Sequence, residues 1–440
     1  MKLLSTVFSK YDRFKLKNSP QANLVYGFLT YILIGWGILS LPFLQKTYVS
    51  TVDNLFIATS AISTTGLVTV SIYDSYNLLG QFVVMLLFQI GGIGYMTFTT
   101  FYLLSTTKRI THWHRKIIQT EFDVPKELKI KDFLRSVIIY TLFMEIIGAV
   151  CFFIAFRKEG IDVGQALWNS IFHSVSAFCT AGFGLSNNSF MDFTGNTFIN
   201  IIISVLAICG SLGFIVVTDI WYKISRRTTK ISFTTKMVSV GFLILLLFGT
   251  IITYFSEPLI QELQGKEKIL ASFFQAMTSM TTVGFNTINT AQLSLPILLM
   301  VIFLMYIGAS PAGTAGGMKI TTLTAMLAII KSRLYGEKEI TFLKRKIPFE
   351  RLYVATSTFI FYTMIIFFSC FLLSFTERGH FKNILFEVAS ALGTVGLSVG
   401  LTSELTTFGK IVFIVIMFIG RLGVITFGYA LLARKTERQS

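Results

Sequence analysis

Four glycines set the terms for this chain: Gly66, Gly182, Gly284 and Gly396, each closing a stretch of one design. The stretches read FIATSAISTTGL from Phe56, FHSVSAFCTAGF from Phe172, FQAMTSMTTVGF from Phe274 and FEVASALGTVGL from Phe386. In each, Phe stands eight residues before a Thr, and Ser or Thr stands four before it. The Thr is followed by one more residue, then Gly, then Leu or Phe. Successive glycines lie 116, 102 and 112 residues apart, far beyond the period of a solenoid, so each repeat is a substantial unit of its own. The chain is a fourfold internal duplication.

Such units have to be placed in a medium. With 53% hydrophobic and 14% charged residues and a mean hydropathy of +0.68, the chain has the composition of a protein whose surface faces lipid. A helix that crosses the hydrocarbon needs about 20 mostly apolar residues. Runs of that kind flank every glycine stretch, at 24–44, 133–156, 237–255 and 352–375 before it and 78–104, 198–221, 295–330 and 408–433 after it. The stretches themselves, at about 10 to 14 apolar residues, are too short to span and are expected to be re-entrant. Each unit therefore reads helix, half-helix, loop, helix.

Charge orients the units. Basic residues gather at the N-terminus, after each of the first three units and at the C-terminus, and these groups hold 28 of the 38 Lys and Arg. The tendency of basic loops to stay inside predicts eight spans with both termini cytoplasmic, and explains the net charge of +16 without nucleic acid. The long first run does not resemble a cleavable signal. The glycine stretches then open outward, flanked by Asp53, Asp74, Glu159, Asp162, Asp192, Glu257, Glu262, Glu267, Glu377 and Glu404, which we read mostly as solvated loop charges around an outer mouth.

Dehydrating a cation inside a membrane requires oxygens that replace its water, and rings of backbone carbonyls do this in potassium-selective pores. Glycine lets the backbone adopt dihedrals that side chains forbid. A half-helix ending at the same point brings the partial negative charge of its C-terminus. One Gly-small motif would read as a helix-packing surface. Four in register predict one pore, with the ion-binding loops formed by Thr64, Thr65, Gly66, Thr180, Ala181, Gly182, Thr282, Val283, Gly284, Thr394, Val395 and Gly396.

On these stretches, TTG, TAG, TVG and TVG, and on the GFN at Gly284, Phe285 and Asn286, the sequence resembles the Trk, Ktr and HKT superfamily of potassium transporters over nearly its whole length. It is most similar to the membrane subunits of bacterial Ktr systems, the KtrB or KtrD type. The resemblance implies an all-α polytopic membrane protein of four M1-pore helix-M2 repeats, with eight transmembrane helices and four re-entrant half-helices in pseudo-fourfold arrangement around one pore. A cytoplasmic N-terminal segment, 1–22, precedes the four repeats, which are expected at 23–107, 108–222 (opening with a basic inner loop), 223–331 and 332–440 (with a basic inner loop and the C-terminal tail). Glycine in all four loops resembles the potassium-selective members. The implied protein is a potassium-translocating pore subunit in a bacterial plasma membrane, a homodimer embedded in the bilayer. A cytoplasmic nucleotide-binding RCK ring of the KtrA or KtrC type regulates it, and this chain carries no cofactor beyond the K+ it transports. The alternatives are a related transporter of mixed K+ and Na+ permeability and, at a greater distance, a secondary carrier. No nucleophile or metalloprotease motif points to an enzyme.

The third unit departs from the others. Its second helix contains GASPAGTAGG at 308–317, then Met318 and Lys319. Proline and this glycine density predict a break in mid-span, read from the residues alone as either a cavity lining or a packing kink. The resemblance makes it a gate beneath the filter, formed by Gly313, Thr314, Ala315, Gly316 and Gly317. Arg421, inside an apolar run, costs at least about 2.5 kcal/mol unless it meets water or a partner. Its counterparts in Gly91-Gly92-Ile93-Gly94 and Gly210-Ser211-Leu212-Gly213 are neutral, and the resemblance places it against the gate loop. Lys319 is assigned to the gate or to the inner mouth. The four cysteines are scattered, and Glu145, His173 and Glu387 receive no role beyond a polar partner or an anchor.

Overall fold

The computed structural model describes residues 20–94, 130–225, 231–311, 313–337, 339–342 and 345–432. Most of the basic segments, with His112 and His114, lie outside the described residues.

Each of the four units has one long first helix, one half-helix and one second helix. Unit 1 holds α1 (Pro20–Leu39), α2 (Thr51–Ile62) and α3 (Leu78–Ile93). Unit 2 holds α4 (Ile130–Lys158), α5 (Val163–Phe178), α6 (Thr197–Ser211) and α7 (Phe214–Ile224). Unit 3 holds α8 (Phe233–Ser256), α9 (Gly265–Thr281), α10 (Leu295–Tyr306) and α11 (Ile320–Leu334). Unit 4 holds α12 (Phe349–Leu373), α13 (Phe381–Gly393), α14 (Thr407–Leu422) and α15 (Val424–Leu432). The first helices supply the segments Ala22–Leu39, Arg135–Lys158, Phe233–Ser256 and Phe349–Leu373, all long and apolar enough to cross a membrane. Their outer faces carry exposed apolar side chains, as in Leu142, Phe143, Ile146, Ile147, Val150 and Ile154 of α4. That pattern suits lipid and inverts the surface of a soluble helix.

The second helices differ from expectation. Only the third was predicted to break, yet the second and fourth are interrupted too, at Gly213 and Gly423, and α3 ends at Gly94. Gly94, Gly213 and Gly423 have φ of 88, 86 and 81°, a conformation closed to most side chains. The third unit is distinguished by the length of its interruption. Two of the half-helices, at 16 and 17 residues, run longer than the 10 to 14 that the apolar stretches alone suggested, because a further first turn extends them, while the other two, at 12 and 13, match it.

Packing arranges the units cyclically. The second helix of each unit lies on the half-helix of the next: α3 on α5, α6 on α9, α10 on α13, and α14 back on α2. The last contact closes the ring, and Lys410 of α14 meets Asp53 of α2 there at 2.6 Å. The repeat phenylalanines Phe56, Phe172, Phe274 and Phe386, all fully buried, wedge the half-helices in place. Against lipid, what such burial gains is close packing and not release of water.

Among the flanking acids expected to be solvated, Glu257 and Glu377 are buried, while Glu159 stays exposed as expected. Glu257 is buried and accepts from the backbone N–H and hydroxyl of Ser294, the residue that caps α10. Glu377 does the same for Thr406, the cap of α14, and Glu159 accepts from Asn196, the cap of α6. Each carboxylate at the end of a first helix thus latches the start of the second. In unit 1 the latch is neutral, with Asn77 donating to the Phe43 carbonyl.

Candidate functional site

The site begins where the half-helices stop. The N–H groups of Thr65, Ala181, Val283 and Val395 return to the carbonyls of Ser60, Ser176, Thr278 and Ser390 at 2.8, 2.8, 3.2 and 2.8 Å. The residue before each donor is Thr64, Thr180, Thr282 or Thr394, with φ of 52, 50, 57 and 49°. This is a helix C-terminal motif whose left-handed position ordinarily takes glycine. A β-branched residue there is strained by about 1–3 kcal/mol. The expected glycine is joined by a second unusual position: each loop places threonine and glycine both at positive φ, two residues apart.

Beyond the threonines the four loops meet. A Cβ added to Gly66 would fall on the carbonyl of Ala181, one at Gly182 on that of Val283, one at Gly284 on that of Val395, and one at Gly396 on that of Thr65. Glycines and carbonyls alternate in a closed cycle through units 1, 2, 3 and 4. In units 2, 3 and 4 the repeated Ser or Thr four residues before the threonine is hydrogen-bonded to the loop, whereas the Ser60 hydroxyl of unit 1 is buried with no hydrogen-bond partner among the described residues. Ser176 donates to the Phe183 carbonyl at 2.8 Å, Thr278 to that of Phe285 at 2.6 Å, and Ser390 accepts from the N–H of Gly396 at 3.1 Å.

On one side the ring opens to a cavity of about 430 Å³, lined by all four glycines and by polar residues including Thr69, Asn187, Asn286 and Ser398. At its rim Asp74 accepts from Asn187 at 2.8 Å. Hydrogen bonds from Asn187 and Ser71 hold its carboxyl below the usual carboxylate range, so a negative charge persists there.

The other side is covered. The interruption of unit 3 forms a loop drawn together at its base by a two-residue parallel pair, Ile307 with Met318 and Gly308 with Lys319. It docks on the end of α6 through Thr314 N–H to the Gly210 carbonyl, 3.1 Å, and Ser310 N–H to that of Ser211, 3.3 Å. Its tip touches the strained threonines: the hydroxyls of Thr314 and Thr180 are 3.1 Å apart, and Gly316 N–H donates to the Thr282 hydroxyl at 3.2 Å. Any Cβ at Gly316 would overlap the hydroxyl of Thr394, which explains why the loop is glycine-rich at this point.

Both predicted cations join this loop. Arg421 donates to the carbonyls of Thr314 and Gly91 and reaches that of Gly92 at 3.4 Å. Lys319, assigned to gate or mouth, folds back on the carbonyls of Ala315 and Gly316 at 2.5 and 3.0 Å. A second cavity of about 160 Å³, lined by Gly313, Gly316, Lys319 and Arg421, lies on the far side of the loop. All of the predicted site residues are thus gathered in one column: upper cavity, ring, loop, lower cavity. Glu145 finds its polar partner in Gln89, 3.1 Å away, and the four cysteines are free thiols. Among the described residues no group of His, Cys, Asp and Glu is arranged to hold a metal ion.

Two residues given no role beyond an anchor are found anchoring the loops. His173 and Glu387 brace the segments beyond two of the glycines: His173 Nε2 accepts from Leu185 N–H at 3.2 Å, and Glu387 Oε1 from Val399 N–H at 3.0 Å. The available signal was their common place, directly after the repeat phenylalanine.

A family model described as "TrkH: Cation transport protein" matches residues 28–439. The Ktr system potassium uptake protein B of Bacillus subtilis is 35% identical over 426 residues, covering 96% of this chain and 94% of that protein. The potassium/sodium uptake protein NtpJ of Enterococcus hirae is 33% identical, covering 99% and 97%. The crystal structure of the potassium transporter TrkH from Vibrio parahaemolyticus superposes with a TM-score of 0.70 at 22% identity, over 92% of this chain and 84% of that one, a likeness of fold.

Proposed function

The chain belongs to the TrkH family of cation transport proteins, and on that premise we propose that it is the potassium-translocating pore subunit of a Ktr-type uptake system. The observation that carries this reading is the closed cycle in which each glycine of the ring meets a carbonyl from the next loop. Oxygens so disposed replace the hydration shell of a monovalent cation, and four half-helix C-termini add their partial negative charge. The filter comprises Thr64, Thr65, Gly66, Thr180, Ala181, Gly182, Thr282, Val283, Gly284, Thr394, Val395 and Gly396, with K+ as cargo.

The loop holding Gly313, Thr314, Ala315, Gly316 and Gly317 is the gate, with Arg421 as its clamp and Lys319 as its internal brace. In this conformation the loop separates the two cavities, so conduction requires it to move. The protein works as a homodimer in a bacterial plasma membrane with both termini cytoplasmic, and a nucleotide-binding RCK ring on the inner face supplies the force that moves the gate. The name of the Ktr relative, a component of a system, supports a partnered subunit.

A second reading, mixed K+ and Na+ passage, is favoured by the similarity to a potassium/sodium uptake protein. Rubidium and sodium fluxes into liposomes holding the full chain, measured with and without its regulatory ring, separate the two. Rubidium-selective flux that the ring increases supports the proposal. Equal fluxes establish the second reading, and saturating flux that requires a counter-ion on the opposite face defeats both.

A further inference from the structure

The four half-helices carry different side chains at one equivalent position, the residue directly after the repeat phenylalanine: Ile57, His173, Gln275 and Glu387. In unit 4, Glu387 is fully buried. Its Oε1 accepts from Val399 N–H and, at 2.5 Å, from the Ser398 hydroxyl, while Oε2 accepts from the Thr402 hydroxyl at 2.6 Å. In unit 2, His173 is set in a cage of Phe152, Phe156, Phe172, Phe190 and Phe285. Its Nδ1 lies 2.7 Å from the Asn169 carbonyl, which fixes the proton there and leaves Nε2 to accept from Leu185 N–H.

Val399 and Leu185 both stand three residues beyond the loop glycine. Three residues of chain span at most about 10 Å. With the loop held at its other end by the half-helix motif, a pin at this point restricts the glycine peptide itself. Units 1 and 3 lack the pin. Isoleucine cannot accept a hydrogen bond, and both polar atoms of Gln275 are buried with no hydrogen-bond partner among the described residues. Those two units lean on unit 2 instead. Ser71 donates to Asn187 at 2.6 Å, Thr194 to the Thr287 carbonyl at 2.5 Å, and Asn286 N–H to Ser189 at 3.2 Å. Units 2 and 4 face each other across the ring, so the pins give a fourfold ring a twofold mechanical pattern.

We propose that His173 and Glu387 are positioning residues that hold two opposed glycine loops at the spacing that discriminates potassium from sodium. This rests on the pore reading above and adds to it that the four loops are not equally stiff. A ring held rigid on one diagonal resists collapse around a smaller ion, which flexible carbonyls would otherwise follow.

The test is the ratio of rubidium to sodium flux for the full chain with its regulatory ring, together with KM and maximal rate for rubidium. Glu387→Leu and His173→Leu lower the ratio by about fivefold or more, the worth of one lost buried hydrogen bond, and raise KM more than they lower the maximal rate. Glu387→Gln, whose amide oxygen can still accept from Val399 N–H, keeps the ratio within about twofold of the parent. Gln275→Leu does the same, since no bond is lost. Should Glu387→Leu fail to fold, Thr402→Val removes one donor from the carboxylate without altering the half-helix, and lowers the ratio in the same direction. The proposal is overturned if folded Glu387→Leu or Thr402→Val, together with His173→Leu, keep the parental ratio, or if Gln275→Leu lowers it equally. A parent chain with no rubidium flux would instead refute the pore reading on which the proposal rests.

Discussion

Arg421 holds the carbonyl of Thr314 with one guanidinium nitrogen while the other holds that of Gly91, so a single side chain from unit 4 ties the covering loop of unit 3 to the second helix of unit 1. The planar fork of arginine suits it to acceptors on two separate elements, one for each nitrogen. Arg421→Ala is expected to raise basal rubidium flux by on the order of tenfold, because hydrogen bonds from a charged donor contribute about 1.5–3 kcal/mol each and only part of that favours the closed loop. Arg421→Lys, able to keep one acceptor, should fall between. Basal flux equal to the parent in both variants would remove Arg421 from the closing mechanism.

At Gly284 the positive φ and the Val395 carbonyl both exclude a side chain. Gly284→Ser should therefore displace the neighbouring loop and reduce the preference for rubidium over sodium by about tenfold, a little over 1 kcal/mol of lost discrimination. Flux ratios in liposomes check this, and an unchanged ratio would count against the filter assignment.

Thr282 combines strain with a contact. Thr282→Gly relieves the left-handed conformation and should stabilise the protein by about 1 kcal/mol, while removing the hydroxyl that receives Gly316 N–H. The expected variant is more resistant to heat and leakier at rest. Thermal unfolding and basal flux measured on the same preparation decide it; lower stability would mean that the hydroxyl contact outweighs the strain.

The seam between units 4 and 1 is closed by Lys410 and Asp53, whose side chains are only 18% and 11% exposed. Lys410→Met leaves the carboxylate without its partner and should destabilise the protein by about 3 kcal/mol. Adding Asp53→Asn should recover much of the loss. If the double variant is no better than Lys410→Met alone, the two residues are not energetically coupled.

The register of the four stretches made the repeat, the half-helices and the location of the ring legible, because a Phe, a hydroxyl and a glycine at fixed spacing are local signals. Arg421 was legible for a different reason, since an arginine in an apolar run demands a partner. What could not be read was how each backbone group is used. The hydroxyls of Ser176 and Thr278 donate to loop carbonyls whereas that of Ser390 accepts an N–H, although the sequence pattern is the same. Glu257 and Glu377 looked like loop charges because their partners, Ser294 and Thr406, lie about 30 to 40 residues away and meet them only after the half-helix has folded back. The interruptions at Gly213 and Gly423 were hidden by apolar neighbours that gave them the look of continuous spans.

Anomalous diffraction from crystals of the full chain grown in rubidium tests the central claim most directly. The account predicts a peak on the axis enclosed by Gly66, Gly182, Gly284 and Gly396, in contact with backbone oxygen from all four loops. Rubidium found elsewhere in the protein, with that axis empty or filled by side chains, would contradict it.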